Sequence, residues 1–373
     1  MYGDDVLVEE EMFDWYNPDN WYPVKIGDVY ESRYQVLLKL GFGSVSTAWL
    51  CRDLREHKYV TVKIYETGHR QSLNESKVLE HLAAAVAEHP KHPGRRFIRL
   101  ALDSFELRGK NGPHVCIVHE PLGLSLADIR LSLGGALPAT FVQSMAFAVL
   151  VGLDFLHSAA GVVHTDIQPG NFMLSISDPT VLVKAVSNEW SSPGPHKLLG
   201  ENEIYCSVDL DLPVDGDIPI ISDFGDAHFG DPPYFAEVMP DLFRAPEMIL
   251  GIPWDEKIDT WAFGLMIWVL LEGESLFTER LPSREASAPA HLARMITLLG
   301  PPPQDLLENA NPEWVARFYN EDGTFKYGEM LTDATLETEE KVLGGESKAQ
   351  FLEFIRKKCF SGVLKTDRRP RTC

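Results

Sequence analysis

A handful of polar residues carry the spacing that chemistry would need. His164-Thr165-Asp166-Ile167-Gln168-Pro169-Gly170-Asn171 sets a carboxylate and a carboxamide close together after the short apolar run Gly161-Val162-Val163. Asp223-Phe224-Gly225 brings another carboxylate at the end of the apolar run Ile218 to Ile221. Lys63 lies inside Val60-Thr61-Val62-Lys63, an apolar strand pattern, where an ammonium must snorkel or find a counter-charge. Glu75, in the helical pattern that follows, can supply it. Upstream, Leu40-Gly41-Phe42-Gly43-Ser44-Val45-Ser46 sits between two strand patterns, and its glycines let the backbone approach a phosphate without a Cβ clash. The chemistry this set fits is phosphoryl transfer. Asp166 would stand beside an incoming hydroxyl, Asn171 and Asp223 on magnesium, and Lys63, held by Glu75, on the α and β phosphates.

Each piece alone has a plainer reading. Two close glycines between strands make an ordinary hairpin, Lys63 can be an edge-strand lysine with a buried stem, and Asp-Phe-Gly can be a turn. The third glycine of the phosphate-loop pattern is Ser46 here. Order along the chain decides between the readings: glycine-rich turn, lysine, glutamate, the Asp166 to Asn171 loop, then Asp223. Ala245-Pro246-Glu247 and Asp259-Thr260-Trp261-Ala262-Phe263-Gly264 follow, and Arg371 near the end can ion-pair Glu247.

The elements that must position these residues form a strand-rich first third and a helix-rich remainder, an α+β arrangement. Strands are expected at Tyr34–Leu40, Val45–Cys51, Val60–Tyr65, Phe97–Leu107 and Val115–Glu120. A helix is expected at Leu73–Val86 from Leu73, Leu79, Leu82, Ala83 and Val86. After a joint near Glu120-Pro121-Leu122-Gly123 the pattern turns helical, with Phe141, Met145, Ala148, Val149, Leu153 and Leu156 on one amphipathic face. Later helices are expected at Lys257–Leu271, Ala290–Leu299 and Gln350–Cys359. Residues 1–20, acidic and turn-rich, read as a loose arm. Residues 175–219, with weak periodicity, read as an insertion belonging to neither part.

The chain has 373 residues, with Lys plus Arg at 34 against Asp plus Glu at 55, a formal net charge of −21. A field of that sign repels phosphate backbones and anionic lipid, so direct nucleic-acid or membrane partners are not expected and a basic protein partner is. Acidity serving solubility alone is the competing reading. Five scattered cysteines without a CxxC pair fit a reducing compartment better than a disulfide framework or a zinc site. The acidic N-terminus lacks the apolar core of a signal peptide, and the best apolar run, Phe263–Leu271, is far too short to span a bilayer. A soluble, intracellular protein is the expectation.

From about Trp21 onward the chain resembles eukaryotic protein kinases, and more closely the SR-protein kinase family of the CMGC group. That closer resemblance rests on Tyr22-Pro23-Val24-Lys25-Ile26-Gly27-Asp28 leading into Arg33-Tyr34 and Lys39-Leu40-Gly41-Phe42-Gly43. Ser46-Thr47-Ala48-Trp49-Leu50-Cys51 and His164-Thr165-Asp166-Ile167 also carry it, while His291-Leu292 through Leu298-Leu299-Gly300 resembles the helix after the insert of the wider CMGC group. The resemblance implies a bilobal kinase fold. Residues 21–120 would be a small β-rich N-lobe with one main helix, and residues 121–373 a larger helical C-lobe, with 175–219 in place of a much longer spacer. It implies a serine/threonine protein kinase using ATP and magnesium on serines in arginine/serine-rich splicing-factor-like proteins, acting as a monomer in cytoplasm and nucleus. It also implies catalytic roles for Asp166, Lys63, Glu75 and Gln168 and magnesium ligation by Asn171 and Asp223. Nucleotide contacts would come from Leu40, Gly41, Phe42, Gly43, Ser44, Ala48, Thr61, Lys63, His119, Glu120, Leu122 and Met173.

Departures from the family pattern set the open alternatives. Gln168 replaces the catalytic-loop lysine, whose positive charge would neutralise the transferred phosphoryl group, and this implies a slower enzyme. Thr61 replaces the alanine before the strand lysine, His119 stands as gatekeeper, and the chain stops soon after Arg371. A pseudokinase scaffold is therefore the alternative, and a small-molecule phosphotransferase a more distant one. Arginine-flanked serines would be read by carboxylates around Asp255, Glu256, Glu272 and Glu274. Thr165 stands where an arginine would receive an activation-loop phosphate. The loop from Asp226 to Arg244 has Tyr234 as its only hydroxyl, so no phosphorylation switch is expected there.

Overall fold

The computed structural model describes residues 3, 6–199, 202–211, 217–278 and 283–360. The chain divides into two compact units, one of residues 1–125, 151–155 and 172–225, the other of 126–150, 156–171 and 226 onward. The expected α+β composition holds, with the large sheet in the first unit and most helices in the second.

The first unit is built on a six-stranded antiparallel sheet. Its strands are β1 (Val29–Tyr30), β2 (Tyr34–Phe42), β3 (Ser46–Asp53), β4 (Lys58–Tyr65), β5 (Ala101–Arg108) and β6 (Pro113–His119), in the order β1-β2-β3-β4-β6-β5. β-branched and aromatic side chains alternate into one core that includes Val36, Trp49, Cys51, Val60, Val62, Ile64, Cys116 and Val118. Register fixes the later chemistry: Lys63 pairs across to Ala48 and Ile117, and Thr61 to His119. Helix α1 (Arg70–Glu88) starts where His69 Nδ1 accepts from the Gln71 N–H at 3.3 Å, and it buries the stripe Val78, Leu79, Leu82 and Ala85. β5 begins at Ala101 rather than at the expected Phe97, because Pro93 opens a tight 3-10 turn that runs to Phe97.

Residues 8–20 are not a loose arm. Val8, Glu10 and Glu11 are buried, and Glu9–Met12 forms a 3-10 turn. Glu9 and Glu10 pair with Lys39 Nζ at 2.8 and 2.5 Å, and Glu11 pairs with Lys197 Nζ at 3.0 Å. The insertion is part of the same unit. Its helix Thr180–Ser191 packs Leu182 and Ala185 against Leu38, Leu50 and Leu210. Its hairpin, His196–Leu199 with Asn202–Tyr205, places Tyr205 edge-on to Trp49. Thr, Val and Ser dilute helical propensity there, and tertiary packing supplies what propensity withholds.

The second unit is helical. Lys257–Glu272 is buried almost all round, and Gly264 is required where it crosses Ile355–Cys359, because a Cβ at 264 would lie 2.5 Å from Cys359 Cβ. Arg284–Leu299 starts earlier than the expected Ala290, since Ser283 caps it through the Ala286 N–H at 3.1 Å. Gly345–Phe354 likewise extends the last expected helix at its start. Phe263–Leu271 is not the longest apolar run in helical form. Ala139–Ala160 is one 22-residue helical stretch that contains 18 residues of mean hydropathy 1.7, enough by length and composition to cross a membrane. Val142, Met145, Val149, Leu153 and Leu156 within it are buried, as in a core helix. Arg371 lies outside the described residues.

Candidate active site

In the first unit three charged groups converge. β4 carries Lys63 so that its ammonium lies 2.9 Å from Glu75 Oε2 on α1 and 3.1 Å from Asp223 Oδ1. Burial alone would lower the lysine pKa, and the Asp223 and Glu75 carboxylates outweigh it, so the net shift is upward and Lys63 stays charged. The other Glu75 oxygen accepts the Phe224 N–H at 3.3 Å, and Asn74 donates its amide to Gly225 O at 2.9 Å. Helix α1 therefore grips the Asp-Phe-Gly turn at both ends, and Asp223 takes a left-handed φ of 65°. Backbone held in that region is strained and persists only where its surroundings over-determine it.

Around this triad the first unit also holds the residues expected to touch a nucleotide. Leu40, Gly41, Phe42, Gly43 and Ser44 form the end of β2 and its turn, and the Gly43 N–H closes that turn on Ser46 O at 2.8 Å. Ala48 lies directly opposite Lys63 in the register and Thr61 two residues before it on β4, Met173 lies on the strand Phe172–Leu174, and Leu122 is buried. Glu120 is exposed, 3.6 Å from Lys58. His119 is fully buried. Its Nδ1 lies 3.0 Å from Leu100 O, and burial followed by the Arg99 charge holds its pKa well below 6.5, so the ring is neutral. Thr61 Oγ1, His119 Nε2 and Arg99 Nε have no hydrogen-bond partner among the described residues. Those orphaned atoms suit a ligand with polar edges, such as a purine, better than an apolar filler.

Sequence reasoning missed Arg99. Its guanidinium lies 3.9 Å from Met173 S, and burial pulls its pKa down to about 10 against the pull of Glu75 and Asp223. The signal was available, because Phe97-Ile98-Arg99-Leu100 embeds a charge in an apolar run just as Val62-Lys63-Ile64 does.

In the second unit the loop from His164 to Asn171 is pinned by Asp259. Its Oδ2 accepts the His164 N–H at 2.7 Å and its Oδ1 the Thr165 N–H at 2.8 Å, while His157 Nε2 lies 2.9 Å from Oδ2. This explains why the Asp259 to Gly264 motif belongs with the loop. Thr165 has φ 69°, costly for a β-branched residue, and the two bonds to Asp259 hold it there. Its hydroxyl donates to Asp226 O at 2.9 Å and ties the loop to the segment after Gly225.

Asp166 is oriented from both sides. Gln168 Nε2 donates to Oδ1 at 2.8 Å and Asn171 Nδ2 to Oδ2 at 2.6 Å, with a further Asn171 bond to Asp166 O at 2.8 Å. A carboxylate so held can accept a proton from a hydroxyl in one fixed direction. Asn171 also carries an amide oxygen, and Asp223 a carboxylate. Both are hard oxygen donors of the kind magnesium takes alongside phosphate oxygens.

The acidic residues expected to read substrate are partly engaged. Asp255 pairs with Lys257 at 2.9 Å, and Glu272 accepts the Lys341 N–H at 3.2 Å. Glu274 is exposed. Glu247 is buried, and its Oε2 has no partner among the described residues; burial, with a smaller push from Asp255, raises its pKa to about 7.

The family model described as "Protein kinase domain" matches residues 34–312. A serine/threonine protein kinase of Aspergillus fumigatus is 37% identical over 356 residues, covering 94% of this chain and 86% of the relative. The serine/threonine-protein kinase SRPK of Physarum polycephalum is 30% identical over 346 residues, covering 87% and 80%. SRSF protein kinase 3 of Homo sapiens is 37% identical over 198 residues, 52% of this chain and 34% of the relative.

Proposed function

Since this chain belongs to the protein kinase family and is an ATP-dependent serine/threonine kinase resembling the SR-protein kinases, we propose that it phosphorylates serines in arginine/serine-rich proteins. The observation that carries the transfer reading is the Lys63 ammonium held between Glu75 and Asp223, together with an Asp166 carboxylate oriented by two side-chain amides. A scaffold that transfers nothing has no need of either arrangement.

The roles follow from the donor chemistry. Lys63 binds nucleotide phosphates and Glu75 keeps it aimed. Asp166 orients the substrate hydroxyl and accepts its proton. Gln168 and Asn171 hold Asp166 in place. Asn171 and Asp223 are the residues that would hold magnesium, which neutralises phosphate charge when bound. Most of the acceleration is positioning and charge neutralisation. With an amide at position 168, less positive charge faces the transferred group, so the rate is modest.

Substrate choice rests on the resemblance to kinases named for SR proteins and on a net charge of −21. Such a field attracts a basic arginine/serine segment and repels nucleic acid. Among the described residues the buried thiols Cys51, Cys116 and Cys359 are free, which supports work in the reducing cytoplasm and nucleus, and we read the active form as a monomer.

Phosphate transfer from labelled ATP to an arginine-serine peptide, compared with a lysine-serine peptide, an acidic peptide and no peptide, tests this reading. Preference for the arginine-serine peptide is expected, and efficiency should fall as salt rises to about 0.3 M because steering is screened. Equal transfer to acidic and basic peptides at low salt overturns the substrate class.

A further inference from the structure

The segment Val8–Trp21 is anchored at both ends and meets the glycine-rich turn in its middle. At the first end Glu9, Glu10 and Glu11 engage Lys39 and Lys197, whose side chains are 0% and 2% exposed. Glu9 also accepts the Ser207 N–H at 2.5 Å and hydroxyl at 2.9 Å. At the other end Asn20 O accepts the Thr67 N–H at 2.9 Å, and Trp21 is buried. Between them the Phe13 and Trp15 rings stack at 4.9 Å, Phe13 lies 6.0 Å from the Phe42 ring, and Trp15 Nε1 donates to Ser44 O at 3.2 Å.

Phe42 and Ser44 flank Gly43 in the turn that the kinase reading assigns to nucleotide phosphates. A turn containing Gly41 and Gly43 has wide backbone freedom, which nucleotide binding must otherwise remove. A trans peptide is planar, with its C=O and N–H pointing opposite ways. Capture of Ser44 O by Trp15 therefore aims the Val45 N–H to the opposite side of the turn. The Phe13 contact restrains Phe42 in the same way. A merely solvated acidic tail would need neither aromatic contact, and two large rings at a surface are otherwise a cost.

We propose that Trp15, supported by Phe13, is a positioning residue for the glycine-rich turn, and through it for the phosphates of ATP. The inference rests on the kinase reading above. The three glutamates lock the segment to the fold, and the aromatic pair transmits that lock to the turn as preorganisation.

The test uses the full chain with Trp15→Ala and Trp15→Phe. Magnesium-ATP affinity is measured by calorimetric titration without peptide, alongside KM for ATP, KM for peptide and kcat. Trp15→Ala is expected to weaken ATP binding and raise its KM by about fivefold, in line with one lost hydrogen bond and a ring contact, with peptide KM unchanged. Trp15→Phe keeps the ring and loses the N–H, so it should recover part of the loss. Trp15 is 58% exposed, so the thermal midpoint should not move. Unchanged ATP affinity in Trp15→Ala, or equal shifts in ATP and peptide KM, overturns the proposal. Absence of ATP binding by the parent instead overturns the kinase reading, and this inference with it.

Discussion

Gln168 donates its side-chain amide to Asp166 Oδ1 at 2.8 Å. The residue that stands where the family pattern has a lysine is thus turned toward the carboxylate we propose as the proton acceptor, and on that proposal it acts by orienting it. Gln168→Ala frees one side of Asp166, so kcat should fall by about tenfold or more, the scale for losing one placed donor, with little change in ATP affinity. Gln168→Lys restores a cation and should raise kcat above the parent. Asp166→Ala should abolish transfer while circular dichroism shows a folded protein. Full activity in Asp166→Ala under steady-state assay would show that this loop is not the transfer site.

Lys197 and Glu11 form a buried pair, with side chains 2% and 5% exposed. Removing one partner strands a charge away from water, which costs about 3–5 kcal/mol. Glu11→Ala should therefore lower the thermal midpoint by several degrees, and Lys197→Met combined with Glu11→Leu should recover most of it. A wild-type midpoint for Glu11→Ala would mean that the arm is not docked through this pair.

Glu247 gives the stability profile a sign that can be worked out. Burial raises its pKa from an ordinary 4.5 to about 7 in the folded chain. The folded state then holds a proton that the unfolded state releases, so this group costs stability as pH rises from about 4.5 to about 7, and the cost is constant above that. Glu247→Gln should be more stable than the parent at about pH 8, with the difference closing toward about pH 4.5. A destabilised Glu247→Gln at alkaline pH would instead place Arg371 opposite the carboxylate, as the sequence suggested.

Strand positions, the pairing of Lys63 with Glu75 and the closeness of Asp166 to Asn171 were legible because they rest on short-range patterns. Alternation marks β2 to β4, and charges inside apolar runs announce their need for partners. The docking of the arm and the insertion was not legible. Lys39 meets Glu10 across 29 positions and Lys197 meets Glu11 across 186, and no local pattern encodes such pairings. Glu9, Glu10 and Glu11 looked like a solvated acidic tail because composition cannot tell a paired carboxylate from a hydrated one. Gln168 was legible by type but not by direction, since an amide that can reach a phosphate can equally reach Asp166. The strain at Thr165 became visible only with its backbone angle, which also gives Asp259 its purpose.

Tyr234, the only hydroxyl between Asp226 and Arg244, is built into the fold. Its N–H and C=O pair with Trp254 at 2.9 and 3.0 Å, its ring lies 4.8 Å from that of Trp254, and its hydroxyl donates to Gly230 O at 2.9 Å. Thr165, in place of a phosphate-binding arginine, already spends its hydroxyl on Asp226 O. The segment is thus held by packing and backbone bonds that need no added charge, whereas switching loops are ordered by new arginine–phosphate pairs. The kinase should be active as synthesised. Treatment with a broad-specificity phosphatase should leave its rate unchanged. Tyr234→Phe should keep the parent rate and lose about 1 kcal/mol of stability, the usual value of one hydrogen bond. Loss of most activity in either experiment would mean that phosphorylation controls this loop after all.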